Sequence, residues 1–381
     1  MPRLYFLEPS KVGSQHITLL DGYLRAIFRS NPLRAVFEIV VCTSRRTWLC
    51  LDLAAFKVGR WEQVPVMDPE KRRLVLKSLL EFAVVLRYIM RMRKGDILFV
   101  TCLLPPALIL VELARRCFRK GRVLVTLHGE IEGLFDLQRQ GVSSYGFWVC
   151  KWMRIRSSNS RLELVVIDDF IRDRLLSEFP KRLFAEGIHV IHHPIQPTVR
   201  LPVIDAPFQR ACFIGYKTRY KGYEYFDRLA RLSVDTQFVC IGGGKIETVA
   251  GGESVSIEGS KDYLDAIGDC AVAVFPYTGG YTCSLSAAAL DALSAGVHIV
   301  AFERPFFASL DRYFGEDFLT IAKDAEDLAR ICLDADRLKL WMRGASGRVR
   351  NLAESRYGLA AVACAFERAA GIGRSDMAGW A

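Results

Sequence analysis

Val272-Ala273-Val274-Phe275-Pro276-Tyr277-Thr278-Gly279-Gly280-Tyr281-Thr282-Cys283-Ser284-Leu285-Ser286-Ala287-Ala288-Ala289-Leu290-Asp291-Ala292-Leu293-Ser294-Ala295-Gly296-Val297-His298-Ile299-Val300-Ala301 holds one full repeat of this chain's architecture. Val272–Phe275 is apolar at every position and reads as a strand buried on both faces. A Gly279-Gly280 loop follows, then a small-residue helix over Ser284–Ala295, whose first turn offers unpaired N–H groups. Gly296 stops that helix, and His298–Ala301 begins the next strand. Strands of this kind separated by helices make a parallel sheet covered on both sides.

The alternation extends in both directions. Upstream, strands are expected at Arg210–Ile214, Thr236–Ile241 and Val255–Ile257, with a helix over Gly222–Ser233; downstream, helices are expected at Ala325–Ala335 and from about Arg337 to Ala370. A separate series precedes these, with strands at Arg3–Leu7, Ala35–Cys42, Ile97–Thr101, Arg122–Thr126, Glu163–Ile167 and His189–Ile191. Between the two series, Pro194, Pro197, Pro202 and Pro207 interrupt the rhythm, as in an interdomain linker. The expected organisation is α/β, with two tandem Rossmann-like, doubly wound domains facing a cleft: 1–195, a linker at 196–208, 209–355, and a helix and tail at 356–381 that returns to the first domain. The 381-residue length fits two domains.

Composition narrows the classes. Hydrophobic residues make up 51% and charged residues 25%, as in a globular protein. The net charge of +10 favours phosphate-bearing partners. No zinc finger or aromatic single-strand platform is present, so nucleic acid is not an expected partner. The 11 cysteines are scattered without a Cys-x-x-Cys pair, which argues against zinc or a disulfide framework and for a reducing compartment. No signal core and no run of about 18 uncharged apolar residues is found, so a cytoplasmic location is expected.

Five segments could carry chemistry. Ser10–His16, with Gly13 and Ser14, is a glycine turn between a strand and a helix at Ile17–Phe28. Val123–Glu130 delivers His128 and Glu130 to the carboxyl end of a strand, where open α/β sheets bind ligands. Phe213–Gly222 ends a strand at Gly215 and adds Lys217, Arg219 and Lys221 before a helix, a charge pattern suited to a diphosphate. Val239–Lys245 carries Gly243 and Gly244, which let backbone approach a ligand, but it lacks the dinucleotide fingerprint. The fifth is the opening stretch, with Ser284, Leu285 and Asp291.

In this order the segments resemble the GT-B glycosyltransferases, and especially the large family-four group of retaining enzymes. Phe213–Gly222 resembles that family's diphosphate motif, with Lys221 at the family lysine. Leu290–Gly296 is similar to its Leu-Glu-Ala-Met-Ala-x-Gly helix, Val125–Gly129 to its Val-Thr-x-His-Gly strand end, and Val190–Ile195 to its segment before the linker. Two positions depart from the pattern. The family arginine after the strand glycine is Tyr216, and the family's paired glutamates fall on Cys283 and Asp291.

The resemblance implies transfer of a sugar from a UDP- or GDP-type donor held by the second domain to a glycan or lipid-linked acceptor held by the first, in surface glycan synthesis. It implies no metal and no cofactor beyond that donor. Gly215, Lys217, Arg219 and Lys221 would neutralise the departing diphosphate. Asp291, with Gly243, Gly244, Ser284 and Leu285, would hold the nucleoside, and His128 would contact sugar or acceptor. An inverting reaction needs a base, for which Glu130, Glu132 and Asp136 are nearest; a retaining one does not. A nucleotide-sugar epimerase of the same fold, or a non-catalytic scaffold suggested by Tyr216 and Cys283, are the alternatives. Finally, Asp68-Pro69 opens a helix to about Lys94 in which Glu70, Arg73, Lys77, Glu81, Arg87, Arg91 and Lys94 form one stripe, suited to an anionic membrane surface.

Overall fold

The computed structural model describes residues 1–11, 17–51, 60–67, 74–135, 144–156, 160–184, 187–195, 209–233, 236–249, 254–257, 259–315, 318–344 and 346–372. Gly13, Ser14, the Asp68-Pro69 cap, Glu70, Arg73, Asp136 and the proline-rich 196–208 segment lie outside them. The chain divides into two compact units, Met1–Pro194 with the C-terminal segment from Leu359, and Ile195–Gly358.

The first unit runs β1 (Arg3–Leu7), α1 (Ile17–Arg29), α2 (Asn31–Val36), β2 (Glu38–Thr43), α3 (Arg45–Cys50), β3 (Arg60–Gln63), α4 (Leu74–Arg91), β4 (Ile97–Val100), α5 (Pro105–Cys117), β5 (Arg122–Leu127), α6 (Tyr145–Ile155), β6 (Leu162–Val166), α7 (Asp169–Glu178) and β7 (Ile188–Val190). Its sheet is parallel throughout, in the order β3-β2-β1-β4-β5-β6-β7. The winding reverses between β1 and β4, and the open carboxyl ends of those strands form the place where such sheets take ligands. Phe6 and Phe99 are register partners whose rings stack at 5.5 Å.

The second unit runs β8 (Gln209–Ile214), α8 (Tyr223–Leu232), β9 (Thr236–Gly242), β10 (Lys245–Thr248), β11 (Ser254–Ser256), α9 (Gly259–Gly268), β12 (Val272–Phe275), α10 (Ala287–Ser294), β13 (His298–Phe302), α11 (Pro305–Phe314), β14 (Leu319–Ala322), α12 (Ala325–Cys332), α13 (Ala335–Gly344) and α14 (Ser346–Tyr357). The sheet order is β11-β10-β9-β8-β12-β13-β14, with the reversal between β8 and β12. β8, β9 and β12 to β14 are parallel, and β10 and β11 extend the edge in antiparallel fashion. Phe213, Phe226, Phe238, Val272 and Val274 form its core; a fully buried side chain of this size contributes about 1.5–3 kcal/mol.

The final helix, α15 (Leu359–Ala370), packs in the core of the first unit. Phe366 meets Tyr23 of α1 edge-on at 5.1 Å and Phe99 at 5.0 Å, and the Tyr23 hydroxyl donates to the Ile191 carbonyl at 2.9 Å. The helical region expected from about Arg337 to Ala370 comprises three helices, α13, α14 and α15.

Local chemistry explains the other differences. The strand expected from Ala35 starts at Glu38, because Ser30 caps α2 by accepting from the Leu33 N–H and Pro32 lies in its first turn. The helix expected from Ser284 starts at Ala287, with Ser286 as its cap. β3, β10 and β14 are short, partly polar strands that carry too little apolar signal to stand out. The charged stripe expected along α4 is corrected: Lys77 and Glu81 are buried, while Val75, Leu76, Leu79 and Met90 face solvent.

Candidate functional site

In the second unit, the residues at the reversal between β8 and β12 surround a cation. β8 leads to Gly215, a single turn carries Arg219–Lys221, and Gly222 starts α8 with a left-handed backbone and no side-chain cap. A Cβ on Gly215 would stand 2.7 Å from the Lys221 Nζ, and one on Gly222 would collide with the Pro276 carbonyl oxygen. Both glycines therefore let the Lys221 turn close onto the ends of β8 and β12. The Lys221 ammonium lies 5.8 Å from the Tyr277 ring centre and has no anionic partner among the described residues. Burial lowers its pKa. A desolvated, unpaired cation is costly unless an anion completes it.

The loop after β12 is fastened around this point. The Thr278 and Gly279 N–H groups donate to the Tyr220 carbonyl at 3.0 and 3.2 Å. The Tyr277 hydroxyl meets Ser286 Oγ, the α10 cap, at 3.1 Å. Tyr281 stacks on Tyr277 at 4.4 Å, and it has the only positive φ of a described non-glycine residue, 59°. Strain of that kind persists only where the surroundings impose it, and it concentrates at functional sites. Asp291, in α10, accepts from the Tyr263 hydroxyl at 3.1 Å, and burial pushes its carboxyl up to about 7.

In the first unit, the ends of β1, β4 and β5 gather ionisable groups. Glu8 is fully buried; it accepts from the Ser10 and Lys11 N–H groups at 2.8 Å each and from the Thr101 hydroxyl at 2.7 Å. Glu81 of α4 accepts from the Leu104 N–H at 2.8 Å with one oxygen, and burial pushes it up to about 7. The Ser10 hydroxyl, buried like the other Glu81 oxygen, acts against that rise without offsetting it. Glu130 accepts from the His128 N–H at 2.8 Å, and burial pushes it up to about 7 as well. His128 Nε2 lies 2.6 Å from the Thr101 carbonyl, which can only accept, so Nε2 carries the proton. Burial holds that imidazole neutral, with its pKa near 4, and does the same to His193, whose Nδ1 donates to the Pro194 carbonyl at 3.0 Å. Lys11 loses stability as a cation through burial but is raised overall by Cys102, Glu8 and Glu130.

The structure thus brings Gly215 and Lys221 together in one unit, and His128 and Glu130 together in the other. Lys217 is already paired: its ammonium meets Glu247 at 2.7 Å, a partner on β10 invisible to a local motif. Arg219 is exposed, and Gly243 and Gly244 form the two-residue turn of the β9–β10 hairpin, each with positive φ, which accounts for both glycines without a ligand. Ser284 and Leu285 precede the α10 cap and are half-buried. Sequence reasoning missed Glu8, Glu81, Tyr277 and Arg304; a charged residue directly after an all-apolar strand, as at Glu8, was the available signal.

No family model matches the sequence, and no curated protein matches it. Solved structures do match in shape. A sucrose-phosphate synthase from Thermosynechococcus elongatus is 15% identical over 96% of this chain and 98% of its own, with a TM-score of 0.66. Anabaena HepE, solved in complex with UDP-glucose, is 12% identical over 98% and 100%, with a TM-score of 0.63. A glycosyltransferase from Rickettsia africae is 11% identical over 97% and 98%, with a TM-score of 0.56. These structures share the fold of this chain, two Rossmann-like units of the GT-B type.

Proposed function

We propose that this chain is a glycosyltransferase that takes a sugar from a nucleoside-diphosphate donor of the UDP or GDP type. The observation that carries the reading is the unpaired Lys221 ammonium at the strand reversal of the second unit, in a loop closed by Gly215 and Gly222. The HepE structures with UDP and UDP-glucose support a nucleotide-sugar donor for a fold of this kind. The acceptor oxygen bonds to the anomeric carbon as the bond from that carbon to the diphosphate breaks, and the electron pair leaves with the diphosphate. Lys221 stabilises that growing charge. Asp291 accepts from a ribose hydroxyl. The acceptor's proton passes to Glu130 where configuration inverts; its pKa near 7 matches a base working near neutrality. Neutral His128 positions the sugar or acceptor.

The deciding measurement is thermal stabilisation by UDP, GDP, ADP and CMP, with Lys221→Ala as control. A shift with one diphosphate that disappears in the variant supports the reading; no shift with any of them refutes a donor site and favours a scaffold. Turnover that persists without any acceptor would identify an epimerase instead.

We also propose a lipid-linked or polysaccharide acceptor reached at an anionic membrane surface. α4 turns Val75, Leu76, Leu79 and Met90 to solvent at 45 to 57% exposure, and α5 packs beside it with Leu113 and Phe118 exposed. Arg87, Arg91, Arg93, Lys94, Arg116, Arg119 and Lys120 are exposed here, while both carboxylates of residues 74–94 and 105–120, Glu81 and Glu112, are buried. Apolar side chains edged by cations suit an anionic interface. No helix among the described residues is long and apolar enough to cross a membrane. Sedimentation with phosphatidylglycerol vesicles, reduced in Leu76→Asp/Leu79→Asp and absent with phosphatidylcholine alone, is expected; no binding to either vesicle would refute the surface.

A further inference from the structure

Arg304 stands directly beyond the carboxyl end of β13, one strand along from the β8–β12 reversal. It is the residue before α11, and it has no side-chain hydrogen bond to that helix's first turn. Its Nε donates to the Tyr277 carbonyl at 2.9 Å, which fixes the planar guanidinium at the end of β12. No carboxylate pairs with it among the described residues, although Glu303 is its neighbour in sequence. Tyr277 therefore holds two unneutralised cations: Lys221 lies over its ring at 5.8 Å, and Arg304 is bound to its carbonyl. The ring is held in turn by its hydroxyl contact to Ser286 and by the stack with Tyr281. The arrangement is stiff, and neither charge is satisfied within the unit.

Two such cations on one rigid support suit a ligand with two adjacent anionic groups. Lysine supplies a point charge, whereas a guanidinium anchored through Nε still presents its two terminal nitrogens as a fork matched to phosphate oxygens. We propose that Arg304 is the second diphosphate-binding residue, gripping one phosphate while Lys221 grips the other. This rests on the donor-site reading above. It also supplies, from the far end of β13, the positive charge that Tyr216 cannot provide beside Gly215.

The test compares binding of UDP, GDP and ADP with that of the matching monophosphates, by calorimetry, in the parent protein, Arg304→Gln, Arg304→Lys and Lys221→Ala. A charge-assisted contact of this kind corresponds to about 10- to 100-fold in affinity. Arg304→Gln, whose amide can still donate to the Tyr277 carbonyl, is expected to lose about that factor for the diphosphate and to change little for the monophosphate. Arg304→Lys is expected to recover part of the loss. An unchanged diphosphate-to-monophosphate ratio in Arg304→Gln, with the ratio collapsed in Lys221→Ala, would overturn the proposal and leave Arg304 as a strut for the loop. Equal weakening of both ligands in Arg304→Gln would overturn it too. Failure of every nucleotide to bind the parent protein would instead overturn the donor-site reading, and this proposal with it.

Discussion

Replacing Glu81 by Gln should stabilise the first unit above neutrality and leave it unchanged in acid. Glu81 is 1% exposed, and burial holds its carboxyl near 7 against 4.5 for the ordinary group. Below 4.5 both the folded and the unfolded chain carry its proton. Between 4.5 and 7 the unfolded chain ionises first, so stability falls with rising pH, and above 7 the penalty is constant. The difference of about 2.5 pH units at about 1.4 kcal/mol each gives a ceiling of about 3.5 kcal/mol. A glutamine has no proton to lose, and its carbonyl oxygen can accept from the Leu104 N–H as Glu81 does at 2.8 Å. Trp48, Trp61, Trp148 and Trp152 lie in this unit against Trp341 in the other, so urea unfolding followed by tryptophan emission reports mainly on it. Parent and variant should match near pH 4.5 and separate progressively to about pH 7, with the variant the more stable. Glu130 shifts in the same direction but is common to both proteins, so the difference isolates Glu81. A stability difference between variant and parent that does not change with pH would show that folding leaves the Glu81 pKa unshifted, and the argument from burial would fail.

Other consequences follow from the same contacts. Asp291→Asn should abolish a rise in nucleotide affinity between about pH 6 and 8, because the Asp291 carboxylate ionises near 7 and accepts best when charged; a parent affinity that is flat over that range would remove Asp291 from the ribose site. Gly222→Ala should destabilise the second unit by at least about 1–2 kcal/mol, since φ is 66° there, with the clash against Pro276 in addition; thermal unfolding reads this directly. Glu112→Ala should cost about 3–5 kcal/mol, because Arg156 and Glu112 are both fully buried and paired at 3.0 Å; a loss under about 1 kcal/mol in urea unfolding would show that the guanidinium finds other partners.

How far the sequence could be read depended on whether a residue's surroundings were local in the chain. Val272–Phe275 and Ile97–Val100 are buried along their whole length, so an unbroken apolar run announced each of them. The turn from Gly215 to Gly222 was legible for the same reason, since glycine, cation and helix start all act within one short loop. β10 was not, because Lys245-Ile246-Glu247-Thr248 becomes a strand only by pairing with β9. α4 was misread outright. A helical wheel sorts residues by type, and it placed Lys77 and Glu81 with the exposed arginines; the fold needs that side of the helix at the β1–β4 mouth, where Glu81 reaches the Leu104 N–H. Val75, Leu76, Leu79 and Met90 were left outside, while Val84, Val85 and Ile89 stay in the core.

The cations of the second unit show the same limit in its sharpest form. Along the chain, Lys217 and Arg219 are the cations nearest to Lys221. The parallel sheet overrides proximity in sequence, because consecutive strand ends lie side by side whatever the length of the crossover between them. Glu247 on the antiparallel edge neutralises Lys217, so that charge is already satisfied. Arg304 arrives by way of β13, bound to the end of β12, without a carboxylate. A site that must hold a diphosphate needs charge the protein has not already cancelled, and by that criterion Lys221 and Arg304 qualify where Lys217 does not. Glu247→Gln should therefore leave nucleotide affinity unchanged if Lys217 stays out of the site. If freeing Lys217 tightens diphosphate binding severalfold, the ion pair to β10 is a restraint on a working ligand, and the assignment of Arg304 as the second cation loses its main support.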